Sequence, residues 1–323
     1  LIERVAAEIE TGGGEVSTAA AVAQRVLPSI VTVQVSSSDV GTFVPDGSGS
    51  GVVISSAEGL LITNEHVVED AQQVRVVFAD GRTYRAEILG VDALTDLAVL
   101  RIEADGLTSV EIGSTEVMSI GDTAIAIGSP LGLEGGPSVT VGVVSAFERR
   151  VQTSIDSELF GMLQTDAPIT RGSSGGALVD DGGRLIGITT AIGISDVGAE
   201  GLGFAIPIEL VLRITDDLIE FGEARHAFLG VTGSTFFTDA EDGATIPAGV
   251  EVASVFEGTA AALAGLEAGD VLVSVDGEAV TTMEQLVTVI RLYPVVEAVD
   301  IVVERDGEQL TIPVVLLERP EDV

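Results

Sequence analysis

The chain has 323 residues, 51 of them acidic against 15 basic, for a formal net charge of −36, and every basic residue is Arg. With no basic stripe to neutralise phosphates, nucleic acid and anionic membrane surfaces are excluded as partners. The absence of Cys excludes disulfides, a thiol nucleophile and a thiolate metal site.

A length of this size suits two domains. Residues 1–20 are acidic and glycine-rich, and Gly12-Gly13-Gly14 breaks any helix begun at Ile2, which predicts a tail or linker. The first residue is Leu1 and not Met, as expected of a processed or truncated chain. No stretch approaches the roughly 18 apolar residues that a membrane-spanning helix needs. From Val22 to about Ala205, short Val- and Ile-rich segments recur between Gly, Asp and Ser turns; examples are Ile30–Val35, Gly51–Ile54, Val74–Phe78 and Ala124–Ile127. Many short strands without long helices between them predict a mainly β domain, an antiparallel barrel or sandwich.

Pro207 opens a helical pattern that ends at Gly222. After Arg225 the text predicts a compact α+β module. Its order is a strand Gly249–Val255, a helix near Thr259–Leu263, a strand Val271–Val275, a helix Thr282–Leu292 and a hairpin Val299–Glu304/Gln309–Val315 around Asp306-Gly307. The expected division is thus 1–20 tail, 21–224 first domain and 225–320 second domain.

Only two histidines are available as general bases. His66 follows the apolar strand Leu61-Ile62-Thr63, where a neutral imidazole can take a proton from a hydroxyl and return it to a leaving amine. His226 lies in the linker Arg225-His226-Ala227 and is expected to be exposed. Ser174 sits in Gly172-Ser173-Ser174-Gly175-Gly176, where glycines let successive N–H groups converge on one oxyanion. Gly172 and Ser174 are the expected donors, with Ser173 contributing backbone to the same loop; from the pentapeptide alone a plain Gly/Ser turn is the better reading. Asp96 begins the apolar strand Leu97–Leu100 and could orient the imidazole, with Asp92 as the competing carboxylate. Gly47–Gly51 feeds a strand and not a helix, so it is no phosphate loop. Gly-x-Ser-x-Gly at 172–176 also matches an α/β-hydrolase elbow, but that fold needs its acid and histidine after the serine.

The order His66, Asp96, Ser174 on an all-β background, with Gly49–Ile54, Thr63–Val68, Thr95–Leu100, Gln164–Ala167 and Gly172–Leu178, resembles the HtrA (Deg) family of trypsin-fold serine proteases. The resemblance runs over nearly the whole chain from Val22. It implies a chymotrypsin/trypsin-like double β-barrel of two six-stranded barrels, with the triad in the cleft between them, followed by one PDZ domain. It makes Phe228-Leu229-Gly230-Val231 the carboxylate-binding loop for free peptide C-termini. Glu65 and Ser173 depart from the family's usual Asn, and Glu65 could raise the pKa of His66. Ile169, Thr190, Ala191 and Ile192 are expected to wall a pocket for small or medium aliphatic residues. Arg149 falls where related proteases place a loop that senses PDZ occupancy. The resemblance further implies a homotrimer, unfolded or misfolded protein substrates, no cofactor or metal, and a place in the periplasm or at the cell surface, with any membrane tether outside the chain. A chaperone or PDZ adaptor with a latent protease domain, and an esterase, are the competing readings.

Overall fold

The computed structural model describes residues 18–38, 42–129, 136–152, 158–170, 172–190, 202–240 and 243–320. A helix, α1 (Thr18–Val26), precedes the first strand. It starts inside the stretch read as tail, because Val22 and Val26 lie one turn apart on a face that is buried in the main core.

Six strands then close a barrel in the order β1-β2-β3-β6-β5-β4. They are β1 (Ile30–Ser36), β2 (Gly47–Ser55), β3 (Leu60–Thr63), β4 (Gln73–Phe78), β5 (Thr83–Asp92) and β6 (Leu97–Ile102), with a single helical turn, α2 (Glu65–Val68), after β3. Alternate residues point to opposite faces, and in β1, β3 and β6 both faces are covered. Val31, Val33, Val53, Leu61 and Leu100 fill the barrel interior, while Ile30, Val52, Ile62 and Val99 join a core shared with the second barrel. Burial on both sides is why β1, β3 and β6 read as continuous apolar runs, whereas β4 and β5, with one face toward solvent, alternate.

The second barrel comprises β8 (Thr123–Gly128), β9 (Ser138–Gln152), β10 (Glu158–Thr165), β11 (Ala177–Val179), β12 (Arg184–Thr190) and β13 (Gly203–Pro207). The ring closes because β11 pairs with both β8 and β12. The two-residue strand β7 (Glu111–Ile112) adds to β12 in parallel. Helix α3 (Ile208–Glu220) buries Ile208, Leu210, Val211, Ile214 and Leu218 against the shared core, as its three- and four-residue spacing predicts.

The C-terminal module holds β14 (Ala227–Phe228) paired with β21 (Leu317–Glu318), and a sheet ordered β15-β16-β17-β19-β20. Its strands are β15 (Val231–Asp239), β16 (Thr245–Val255), β17 (Val271–Val275), β19 (Ala298–Arg305) and β20 (Glu308–Val315), with β18 (Glu278–Ala279) on β17. Helices α4 (Ala260–Ala264) and α5 (Met283–Leu292) cover a separate core that includes Val250, Leu272, Leu286 and Ile301. Strand β15 is absent from the sequence reading, since its polar, partly exposed residues Thr232–Thr238 offer no buried run. The module rests on the second barrel where the β9–β10 pairing is irregular: Gln285 Nε2 donates to Glu148 Oε2 at 2.7 Å, and Gly161, at φ +72°, faces Thr288. Among the described residues no helix is long and apolar enough to cross a membrane.

Candidate active site

His66 lies on the turn α2, directly after β3 has brought the chain to the end of the first barrel. Asp96 lies just ahead of β6, the strand that pairs with β3 through Thr63↔Ala98, so sheet register delivers the two residues to one place. Asn64 Nδ2 donates to the Asp96 carbonyl at 2.8 Å and locks the two loops together. Asp96 adopts φ +58°, a left-handed conformation that Asp tolerates better than most residues. Its carboxylate Oδ1 accepts the backbone N–H of His66 at 3.1 Å and stands 2.8 Å from Nδ1, with Oδ2 at 3.0 Å from the same nitrogen. A carboxylate only accepts, so Nδ1 carries the hydrogen and Nε2 is left as the basic nitrogen.

The surroundings also set the basicity of that nitrogen. Burial alone would lower the His66 pKa, but the hydrogen bond and charge of Asp96, with Glu65 and Glu69 adding to them, leave it above the ordinary histidine value. Glu65 is itself held above the usual carboxylate range by burial and by the negative charges of Glu69 and Asp96.

Asp92, the competing carboxylate, does not meet His66. It lies at the end of β5, four residues before Asp96, and its Oδ1 is 3.0 Å from Nε2 of His226. Thr95 Oγ1 and the Leu94 backbone N–H also donate to it. The His226 side chain is only 10% exposed, which corrects the expectation of an exposed linker histidine. The pair joins the first barrel to the chain that enters the C-terminal module, and burial of both partners favours their contact over solvation of either alone.

Ser174 is buried on the loop before β11. Its carbonyl accepts from the Ser50 N–H at 2.8 Å, and the Ser50 hydroxyl donates to the Gly172 carbonyl at 2.7 Å, so β2 braces the loop. Gly175, at φ +81°, passes so close to Ser50 O and Thr63 Oγ1 that a Cβ there would overlap both. Only glycine fits both the angle and the space, and the close approach sets Ser174 beside the strand end that carries His66.

The Ser173 N–H donates to Thr170 O at 2.9 Å, and Gly172 just before it adopts φ +88°, a left-handed conformation open to glycine. The Ser173 carbonyl accepts from Thr189 Oγ1 at 2.6 Å. Of the expected oxyanion set, the Ser173 N–H is already engaged by the Thr170 carbonyl.

Thr190, expected as a pocket wall, touches the candidate triad directly. Its hydroxyl donates to Asp96 Oδ2 at 2.9 Å, so it braces the carboxylate. Nothing in the text Thr189-Thr190 marks which threonine faces the acid; only the pairing of β12 with β13 decides it. Ile169 is half-buried and packs beside Gly203 and a core of Ala124, Leu163 and Ile186. Ala191 and Ile192 lie outside the described residues. Arg149 is on strand β9 and not in a loop, and its Nε donates to Gln164 Oε1 at 2.9 Å; the contact with α5 comes from its neighbour Glu148, at φ +56°.

In the second module, Phe228-Leu229-Gly230-Val231 connects β14 to β15 and lines a cavity of about 220 Å³ against α5. Gly230 has φ +87°, and a Cβ there would strike Thr259. Leu229 is buried in the module's core, whereas Phe228 is half-buried and lies 6.5 Å from the Phe256 ring.

Residues 49–188 match the model of the trypsin-like peptidase domain, and residues 251–305 match that of the PDZ domain. The periplasmic serine endoprotease DegP of Salmonella typhimurium is 37% identical over 267 residues, which cover 82% of this chain and 55% of that protein. The periplasmic pH-dependent serine endoprotease DegQ of Escherichia coli is 34% identical over 317 residues, covering 91% and 69%. The chain thus spans a little over half the length of the DegP relatives it matches. A solved structure of the HtrA-type protease AlgW with a tripeptide superimposes with a TM-score of 0.72 at 33% identity, covering 95% of this chain and 98% of that one.

Proposed function

Because this chain belongs to the HtrA (Deg) family of trypsin-like serine endoproteases, we propose that it hydrolyses peptide bonds in unfolded or misfolded proteins, with Ser174 as nucleophile, His66 as base and Asp96 as the orienting acid. In that reading Ser174 Oγ attacks the scissile carbonyl carbon while its proton passes to His66 Nε2. Asp96, fixed by Thr190, Asn64 and the His66 backbone, stabilises the imidazolium that results. The backbone N–H groups of Gly172 and Ser174 receive the negative oxygen. His66 then returns the proton to the leaving amine, and water, activated by the same nitrogen, releases the acyl group from Ser174.

The observation that carries this reading is the His66 Nδ1–Asp96 Oδ1 contact at 2.8 Å on a chain whose relatives are serine endoproteases. Its test is degradation of an unfolded protein such as casein by the wild type and by His66→Ala, with circular dichroism to confirm folding. Loss of nearly all turnover supports the assignment, and substantial residual turnover by the folded variant refutes it.

The remaining parts of the reading follow from the same premise. Ile169, packed beside Gly203, suits a small or medium aliphatic residue before the scissile bond. The loop 228–231 receives a peptide carboxylate, and β15, the terminal strand of its sheet, offers the edge along which the peptide adds a strand. The β9–β10 ribbon, which touches α5 through Glu148 and Gly161, is the route by which peptide binding would reach the protease barrels. We place the protein outside the cytoplasm, in protein quality control, as a homotrimer.

A further inference from the structure

The groove between the loop Phe228–Val231 and helix α5 has an unusual charge. In a chain with 51 acidic and 15 basic residues, its lining carries Arg291, Arg319 and His226 and no carboxylate. Its floor is apolar, with Leu229, Val231, Leu286 and Ile290. Arg291 stands on the last turn of α5 with its guanidinium 5.1 Å from the centre of the Phe160 ring, which the second barrel contributes to the groove. Among the described residues no carboxylate lies within ion-pair distance of Arg291. Asp92, the one carboxylate whose charge reaches it, is already bonded to His226. Burial beside Arg319 pushes the Arg291 pKa down to about 10, as expected of a cation short of a counter-charge. The neighbouring Arg150, by contrast, reaches the same ring but is neutralised by two hydrogen bonds to Glu158 at 2.7 and 2.8 Å.

Resting on the peptide-binding reading given above, we propose that this groove selects protein C-termini that end in an apolar residue preceded by Glu or Asp, with Arg291 as the specificity-determining residue. A peptide added to β15 alternates its side chains. If the last side chain enters the apolar floor, the one before it points to the rim, where Arg291 lies against Phe160. An acidic side chain there supplies the missing counter-charge, and a guanidinium already placed over a ring loses little freedom on pairing with it. The chain's own field repels acidic peptides everywhere else, so the arginines give the groove a contrast that a neutral protein would lack.

The test uses the full chain carrying Ser174→Ala, so that peptides are bound and not cut, and fluorescence anisotropy with hexapeptides ending in Glu-Val, Gln-Val and Glu-Val-amide. At low salt the free Glu-Val peptide should bind about tenfold tighter than Gln-Val, and the gap should close as salt screens it. Arg291→Met should bring the gap below about twofold while leaving Gln-Val binding in place, and Arg291→Lys, which keeps the charge, should retain part of it. Equal binding of Glu-Val and Gln-Val by the parent chain, or a preference that survives Arg291→Met, overturns the proposal and leaves the peptide site standing. Failure of every free-acid peptide to bind overturns the peptide-binding reading itself.

Discussion

Thr190 Oγ1 donates to Asp96 Oδ2 at 2.9 Å, giving the acid that orients His66 a second anchor beyond the histidine itself. Removing that hydroxyl without changing the side-chain shape frees the carboxylate to rotate and leaves one oxygen short of a buried donor. Thr190→Val should lower kcat about tenfold, equivalent to roughly 1.4 kcal/mol, with KM nearly unchanged, because the loss is felt in the imidazolium and not in substrate binding. Steady-state kinetics on a short chromogenic peptide decides it, and an unaltered kcat would show that Thr190 is only a packing residue.

The raised pKa of His66 sets the pH behaviour. The base acts when neutral, so activity is lost as pH falls through its folded pKa, and the acid limb of the kcat/KM profile should lie above the ordinary histidine value of about 6.5. Glu65 contributes to the shift by its charge, and Glu65→Gln should move the limb to lower pH. Linkage runs the other way. A raised pKa stabilises the folded chain fully below the unfolded value, and this contribution fades as pH rises through the folded one. A limb unmoved by Glu65→Gln would remove that residue from the account.

How much of this site could be read from the text depends on where each residue's partner lies. His66 and Ser174 stand out because their flanking strands and glycines are local signals, and the strands themselves are legible because two covered faces make continuous apolar runs. Asp96 is favoured over Asp92 in the sequence by the apolar run that follows it; the register Thr63↔Ala98 aims it at His66, and the start of the second module brings His226 to Asp92. The hydroxyl of Thr190 reaches Asp96 of the first barrel, a partner 94 residues away that no local spacing records. The strand β15 escapes because an edge strand with polar faces has no hydrophobic period.

The Asp92–His226 pair is buried on both sides, and removing one partner strands the other in a dry place. His226→Ala should destabilise the chain by about 3 kcal/mol near neutral pH, measured by denaturant unfolding. Asp92 is held below the usual carboxylate range: burial opposes this, but His226, Thr95 and Leu94 outweigh it. Its contribution is therefore complete above the unfolded value of about 3.9 and is lost as pH falls through the lower folded value. The gap between wild type and variant should close in that acid range, and a gap that persists there would assign the loss to packing.

Gly175 meets two demands at once, a left-handed backbone and contact with Ser50 O and Thr63 Oγ1. Gly175→Ala should cost at least about 2 kcal/mol, from the conformational penalty and the overlap with backbone that cannot move aside. The same displacement shifts Ser174, so kcat should fall by more than the stability loss explains. A variant with wild-type melting temperature and turnover would show that the loop tolerates a Cβ.

The central claim is that His66 and Asp96 activate Ser174. A fluorophosphonate that reacts only with activated serine hydroxyls, followed by peptide mapping, tests it at the atom concerned. The wild type should take up one equivalent on the peptide containing Ser174, and His66→Ala should react at least about a thousandfold more slowly. Labelling elsewhere, or at an equal rate without His66, would contradict the account.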